Sequence, residues 1–242
     1  MALVVRSLAA TYYDGFHIEP HRHGWAQIVY AVSGVMSVRA GGTLWIVPPA
    51  RAVWVPAGAE HEIRALGDFT MRTVYFAPEL VRRLPDECCA LRVSPLLREL
   101  LLAIVAEQLI DESDESHMRL ALVAIDGIDG ARALPLHLPL PADPRAVRVA
   151  ERLRADPACD LKLSVLAREA GASARTLQRL FLAETGLRFS EWRQRLRLLH
   201  GASLLGGGRS VTEAGLEAGY AGTSAFSAAF RRHFGFTPSR FA

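Results

Sequence analysis

The chain has 242 residues, half of them hydrophobic and 22% charged, which excludes a largely disordered polymer and leaves room for two cores of ordinary size. Its formal net charge of +3 conceals a split at Asp143: before it stand 12 Lys and Arg against 16 Asp and Glu, from it onward 16 against 9. A last hundred residues with a net charge of +7 suit a partner built of phosphates. Three cysteines, two of them adjacent at Cys88-Cys89, hold no disulfide framework and fit a reducing compartment. A thiol sensor at that pair is the less common alternative to two packed thiols. No basic leader precedes an apolar run and no stretch approaches membrane-spanning length, so a cytoplasmic protein with no membrane partner is expected.

From about Tyr12 to Phe76 the pattern is β-like, with runs at 27–32, 34–39, 43–47, 52–55, 60–65 and 69–76 rich in Val, Ile, Tyr, Phe and Trp. Gly41-Gly42, Pro48-Pro49 and Pro56-Ala57-Gly58 punctuate them, and many short strands with tight turns predict a sandwich or barrel. From Ser94 the period changes. Leu97, Leu100, Leu101, Ile104 and Val105 fall at helical spacing after a Ser94-Pro95 start signal, and a second helix is predicted over 117–125. These helices either pack on the barrel or pair with a second copy in a homodimer; both stay open. Leu134 to Pro141 alternates Leu and Pro and is predicted as an extended connector lying against a surface.

Everything beyond is helical. Asp143-Pro144 starts a helix to about Ala155, a short helix runs from Ser164 to Gly171, and another spans about Ala174 to Glu184. The last two form a helix-turn-helix pattern in which Ala167 is small at the crossing, Gly171 turns the chain and Ser173 caps the next helix. Leu177, Leu180 and Phe181 fall on its inner face, with Arg175, Gln178 and Arg179 opposite. The pattern recurs from Val211 to Arg232, with Phe226 and Phe230 in the places of Leu177 and Phe181. A long helix from about Ser190 to Leu205, ended by Gly206-Gly207-Gly208, joins the two units, which could enter successive major grooves.

From Asp143 to Phe241 the chain resembles the AraC/XylS family of transcription regulators, through Phe189-Ser190-Glu191-Trp192-Arg193, Gly219-Tyr220, Ser224-Ala225-Phe226-Ser227-Ala228-Ala229-Phe230 and Phe234-Gly235-Phe236-Thr237-Pro238-Ser239. The resemblance implies double-stranded promoter DNA and RNA polymerase as partners. It places base-reading roles on Arg175, Gln178 and Arg179 and on Thr223, Ser224 and Ser227. Arg and Gln suit guanine and adenine edges, whereas the second helix is poor in such side chains and suits phosphates better.

Gly15, His21-Arg22-His23, Gln27 and Gly34 reproduce the spacing of the first cupin motif, and Pro56-Ala57-Gly58-Ala59-Glu60-His61 resembles the second. In cupins such histidines, with a Glu where this chain has Gln27, hold a divalent metal inside the barrel. His21, His23, Gln27 and His61 are the implied ligands here, His17 is expected at solvent rather than in the cluster, and Glu60 and Glu62 beside His61 are expected at the surface. Three imidazoles and an amide would leave the ion's charge uncompensated and favour an anionic further partner. Trp25, Trp45 and Trp54 are candidates for core or pocket wall.

The fold class expected is therefore a two-domain α+β chain: a cupin-like N-terminal β-barrel followed by helices, then an all-α domain with two helix-turn-helix motifs. The segments are 1–90, a sensing barrel; 91–133, helical; 134–142, the connector; and 143–242, the DNA-binding domain. The function expected is an effector-responsive regulator, the effector being a metal ion or a small molecule. No catalytic residues are assigned: a metal-dependent cupin enzyme is the competing reading, but it leaves the doubled helix-turn-helix without a use. A third reading keeps the barrel as a dimerisation platform alone.

Overall fold

The computed structural model describes residues 2–131 and 135–240, so Leu134 at the head of the predicted connector and Phe241 at the end of the family-like region lie outside the described residues. By its internal contacts the chain divides into two units, Met1–Gly41 with Trp45–Leu136 and Gly42–Leu44 with His137–Ala242.

The first unit holds β1 (Leu3–Tyr12), β2 (His17–His21), β3 (Ala26–Ser33), β4 (Met36–Ala40), β5 (Thr43–Val47, its first two residues falling to the second unit), β6 (Arg51–Val55), β7 (His61–Ala65), β8 (Phe69–Phe76), β9 (Cys89–Arg92) and β10 (Leu109–Asp111). Its helices are α1 (Pro95–Glu107) and α2 (Glu115–Asp129). One sheet runs β10-β1-β8-β3-β6-β9, and a second contributes β5-β4-β7-β2. The β-rich domain followed by helices is as expected, but its strands form two sheets rather than one closed ring. At the β2 edge the reason is local: Pro20 has no N–H for a ladder, and the register slips between Ile18 and His21.

Alternation along β3 and β8 divides the six-stranded sheet into two faces. Ile28, Val74 and Phe76 join Trp54, Leu97, Leu101, Ile104, Ala121 and Ile125 in one buried cluster, so α1 and α2 cover that face and the Leu-rich stripe is intramolecular core. Ser94 caps α1 by accepting the Leu97 N–H at 3.1 Å. Trp45 and Trp54 are both buried, and the Trp54 indole donates to the Pro85 carbonyl at 2.8 Å. The opposite face carries Gln27, Thr73 and Tyr75, residues paired or diagonal across β3 and β8. Cys88 and Cys89 are half-buried and unbridged, and burial, with Cys89 and Glu87 alongside, pushes the Cys88 thiol up to about 11. Such a thiol is a poor nucleophile.

The second unit holds β11 (His137–Pro139), α3 (Pro144–Ala155), α4 (Leu163–Glu169), α5 (Ala174–Thr185), α6 (Phe189–Gly206), α7 (Val211–Glu217) and α8 (Thr223–Phe234). The connector is tied down: the Trp192 indole donates to the Pro139 carbonyl at 2.7 Å, and Glu184 Oε2 accepts the Ala142 and Asp143 N–H groups at 2.8 and 3.1 Å. Leu138 is fully buried, as its place in the Leu-Pro alternation suggests. On α6 the strut faces inward through two arginines. Arg197 donates to the carbonyls of Pro157, Ala158 and Cys159 at 3.0, 3.1 and 3.0 Å, and Arg193 to those of Leu161, at 2.9 Å, and Cys159. These bonds satisfy the turn between α3 and α4, which has no ladder of its own.

Candidate metal centre and nucleic-acid interface

Three imidazoles meet in the first unit. His21 ends β2 and pairs in register with His61 at the start of β7, while His23 follows in the turn to β3. One ring nitrogen from each of His21, His23 and His61 lies within 4.8 Å of the other two. Their ring centroids are 5.8 Å (His21–His23), 4.3 Å (His21–His61) and 5.2 Å (His23–His61) apart.

The backbone fixes which nitrogen faces inward. His21 Nδ1 lies 2.9 Å from the Glu19 carbonyl, His23 Nδ1 2.8 Å from that of Trp25, and His61 Nδ1 3.0 Å from that of Ala59. A carbonyl oxygen only accepts, so each Nδ1 carries the proton and, in the neutral ring, each Nε2 presents a lone pair. His61 Nε2 is buried and has no hydrogen-bond partner. Burial, with His21 and His23 nearby, pushes the His61 imidazolium down to about 4 despite the Ala59 bond, so the ring is neutral at pH 7.

Gln27 is orientated by a chain of bonds. Thr73 Oγ1 donates to the Ile28 carbonyl at 3.0 Å, so it must accept from Gln27 Nε2 at 2.7 Å. The amide oxygen of Gln27 therefore faces His23 Nε2 at 3.2 Å, lone pair against lone pair. With the ring neutral, two acceptors at that distance repel, and either a proton on His23 Nε2 or a metal ion beside the pair relieves this. The donor set of three imidazole nitrogens and an amide oxygen, each held by a backbone carbonyl or by Thr73, fits a borderline divalent transition metal.

His17 and Glu62 depart from expectation. His17 is neither in the cluster nor simply at solvent: its Nε2 lies 2.8 Å from Glu62 Oε2 and its Nδ1 3.0 Å from Glu19. Glu62 is buried rather than at the surface, with Arg64 at 3.4 Å and Arg39 at 3.6 Å. Burial raises its carboxyl, but the His17 bond and the two arginines outweigh this and leave it below its ordinary value. Glu60 is exposed. Trp25 is half-buried, and together with Tyr75 it flanks Arg6, which the sequence did not single out; the Arg6 guanidinium carbon is 4.8 Å from each ring. Tyr75 also meets His23 edge-on at 5.2 Å.

In the second unit the first helix-turn-helix is α4–α5. Gly171 takes φ +69, a conformation in which a Cβ would be strained, and Ser173 caps α5 by accepting the Thr176 N–H at 3.1 Å. Leu177, Leu180 and Phe181 are buried while Arg175, Gln178 and Arg179 stand exposed on the opposite face. The second is α7–α8, where Gly219 turns the chain at φ +80 and Phe226 and Phe230 are fully buried. Thr223 and Ser227 are half-exposed and Ser224 exposed, with the Thr223 hydroxyl donating to that of Thr212 at 3.1 Å. Both turns are tight because small residues stand where helices meet. A Cβ on Gly201 would lie 2.6 Å from the Phe226 ring, and one on Gly215 3.0 Å from Phe226 Cβ.

A β-rich unit carrying a histidine cluster, followed by paired helix-turn-helix motifs on one strut, defines a ligand-binding domain coupled to a DNA-binding domain. Residues 4–125 match the model of the AraC-like ligand binding domain, and residues 166–242 match that of a helix-turn-helix domain. The HTH-type transcriptional regulator NimR of Escherichia coli K12 is 32% identical over 224 residues, 91% of this chain and 81% of that protein. RipA of Corynebacterium glutamicum, also an HTH-type transcriptional regulator, is 48% identical over 103 residues, 43% of this chain and 31% of that protein. The crystal structure of fatty-acid-bound ToxT from Vibrio cholerae is 12% identical, covering 99% of this chain and 94% of that one with a TM-score of 0.41. The chain belongs to the AraC family of helix-turn-helix transcription regulators.

Proposed function

We propose that this regulator is effector-responsive through a divalent metal ion held by His21, His23, His61 and Gln27, and that occupancy of this site sets how firmly the second unit holds promoter DNA. On DNA, Arg175, Gln178 and Arg179 read base edges, and Thr223, Ser224 and Ser227 chiefly contact the backbone. The observation that carries the sensor reading is the convergence of lone pairs: three Nε2 atoms freed by Nδ1–carbonyl bonds, one of them buried without a partner, beside an amide oxygen turned toward them. Bound there, the ion would supply positive charge and open coordination positions for an effector. An effector shifts DNA affinity only by favouring one of two conformations, and the connector from Leu134 to Pro141 is one covalent route between the units.

Elemental analysis of the purified full chain, followed by promoter binding with and without chelator, tests the reading. Wild type is expected to carry a stoichiometric ion and to change promoter affinity when stripped. His61→Ala is expected to lose both the ion and the chelator effect while its second unit still binds DNA. A full chelator response from metal-free His61→Ala protein would remove the metal from the mechanism.

A further inference from the structure

Beside the cluster, on the sheet face that carries Gln27 and Tyr75, Arg6 is a cation without a counter-ion among the described residues. Arg6 on β1 pairs in register with Tyr75 on β8, and Tyr75 pairs with Gln27 on β3, so the three side chains stand in a row on one face. The Arg6 guanidinium lies between the rings of Trp25 and Tyr75. Its Nε is buried without a hydrogen-bond partner, and among the described residues it makes no hydrogen bond or ion pair. Cation–π contact orients a guanidinium but leaves its in-plane N–H donors unused, and those donors match a carboxylate.

Among the described residues no acid pairs with Arg6. Glu62, the buried carboxylate next to His61 in sequence, is already committed to His17, Arg64 and Arg39. A metal on neutral imidazoles and an amide would add further positive charge a few side chains away. Two uncompensated cations on one half-buried face cost free energy that an anionic ligand recovers.

We propose that the effector taken by this site is a small organic carboxylate whose acid group is bound by Arg6, with Trp25 and Tyr75 holding the guanidinium in place. The proposal deepens the sensor reading above and rests on it for the role of the ion. The ligand's acid group forms charge-assisted hydrogen bonds with the N–H groups of Arg6, and no covalent step is involved.

The test titrates acetate, and acetamide as its neutral counterpart, into the cobalt-loaded full chain, with heat and the visible cobalt bands as readouts. Wild type is expected to bind acetate saturably and acetamide not at all. Arg6→Gln should weaken acetate by about tenfold or more, the worth of a charge-assisted pair, with the cobalt spectrum of the ligand-free protein unchanged. Arg6→Lys, which keeps the charge without the fork, should fall between the two and serves if the glutamine variant fails to fold. Equal acetate affinity in Arg6→Gln and wild type, or no saturable acetate binding by wild type, overturns the proposal. If the chain takes up no cobalt, the metal reading fails by itself. Acetate titrated into the metal-free chain then decides Arg6 separately: weaker binding by Arg6→Gln sustains its role, and equal binding ends it.

Discussion

The two helix-turn-helix units share a chain plan and differ in what holds them. In α4–α5 the recognition helix starts on a Ser173 cap, and Arg148 from α3 donates to the Ala170 carbonyl at 2.8 Å across the turn. In α7–α8 the capping box lies on the first helix, where Ser210 and Glu213 bond reciprocally at 3.3 and 2.9 Å, and α8 begins at Gly222 with no side-chain cap. What fixes α8 instead is ring against backbone, with Phe226 seated over Gly201 and Gly215. The first motif thus adds polar bonds at its turn to the buried Leu177, Leu180 and Phe181, and presents long polar readers. The second is held by packing and presents hydroxyls and methyls, which suits it to set position on the duplex rather than to choose a base.

The sharpest way to break this contrast is Phe226→Ala, which empties the joint of the second helix-turn-helix. It is expected to cost about 3–5 kcal/mol of stability by thermal or urea unfolding of the full chain. A cost under about 1 kcal/mol would show that α8 is not anchored there. Next in size is Arg179→Ala, expected to cost about 1–3 kcal/mol in promoter affinity and to relax preference at one base pair in a substitution scan of the operator. Uniform weakening across all sequences would instead make Arg179 a phosphate contact and erase the division of labour. Smallest is Ser173→Ala, expected to lose about 1 kcal/mol of stability through the α5 cap. Ser224→Ala at the uncapped helix should leave stability unchanged in the same melt.

The second unit was the more legible in sequence, and the physics says why. Pro144, Ser173, Gly171 and Gly219 are local signals whose effect is spent within a turn or two, so α3 and α5 fall within a residue or so of where the sequence puts them. The strands β3 to β8 were equally plain from runs of β-branched and aromatic residues between Gly and Pro turns. β1 was missed because Leu3–Tyr12 mixes Arg6 and Ser7 into an apolar run and is only partly buried. β2 was missed because Pro20 argues against a strand and only an edge tolerates it. In the site, the three histidines were visible as spacing, but the orientation of Gln27 depends on Thr73, 46 residues away. Arg6 belongs to no motif at all: its meaning comes from Trp25 and Tyr75, which reach it from other parts of the first unit only after the sheet has formed. The His17–Glu62 pair was hidden for the same reason.

The inward arginines of α6 change what the chain's basic charge can do on DNA. Arg193 and Arg197 donate to backbone carbonyls and face Asp160 at 3.6 and 3.7 Å, and their side chains are only 15% and 17% exposed. Arg148 is similarly engaged at Ala170. A positive charge held on a carbonyl still shapes the field around the domain, yet it cannot displace a condensed cation from the duplex by touching a phosphate. Each phosphate contact adds about 0.9 to the steepness with which log affinity falls against log salt. The salt sensitivity of binding should thus count only the basic side chains that reach outward, and it will be shallower than the 16 Lys and Arg of the last hundred residues would suggest.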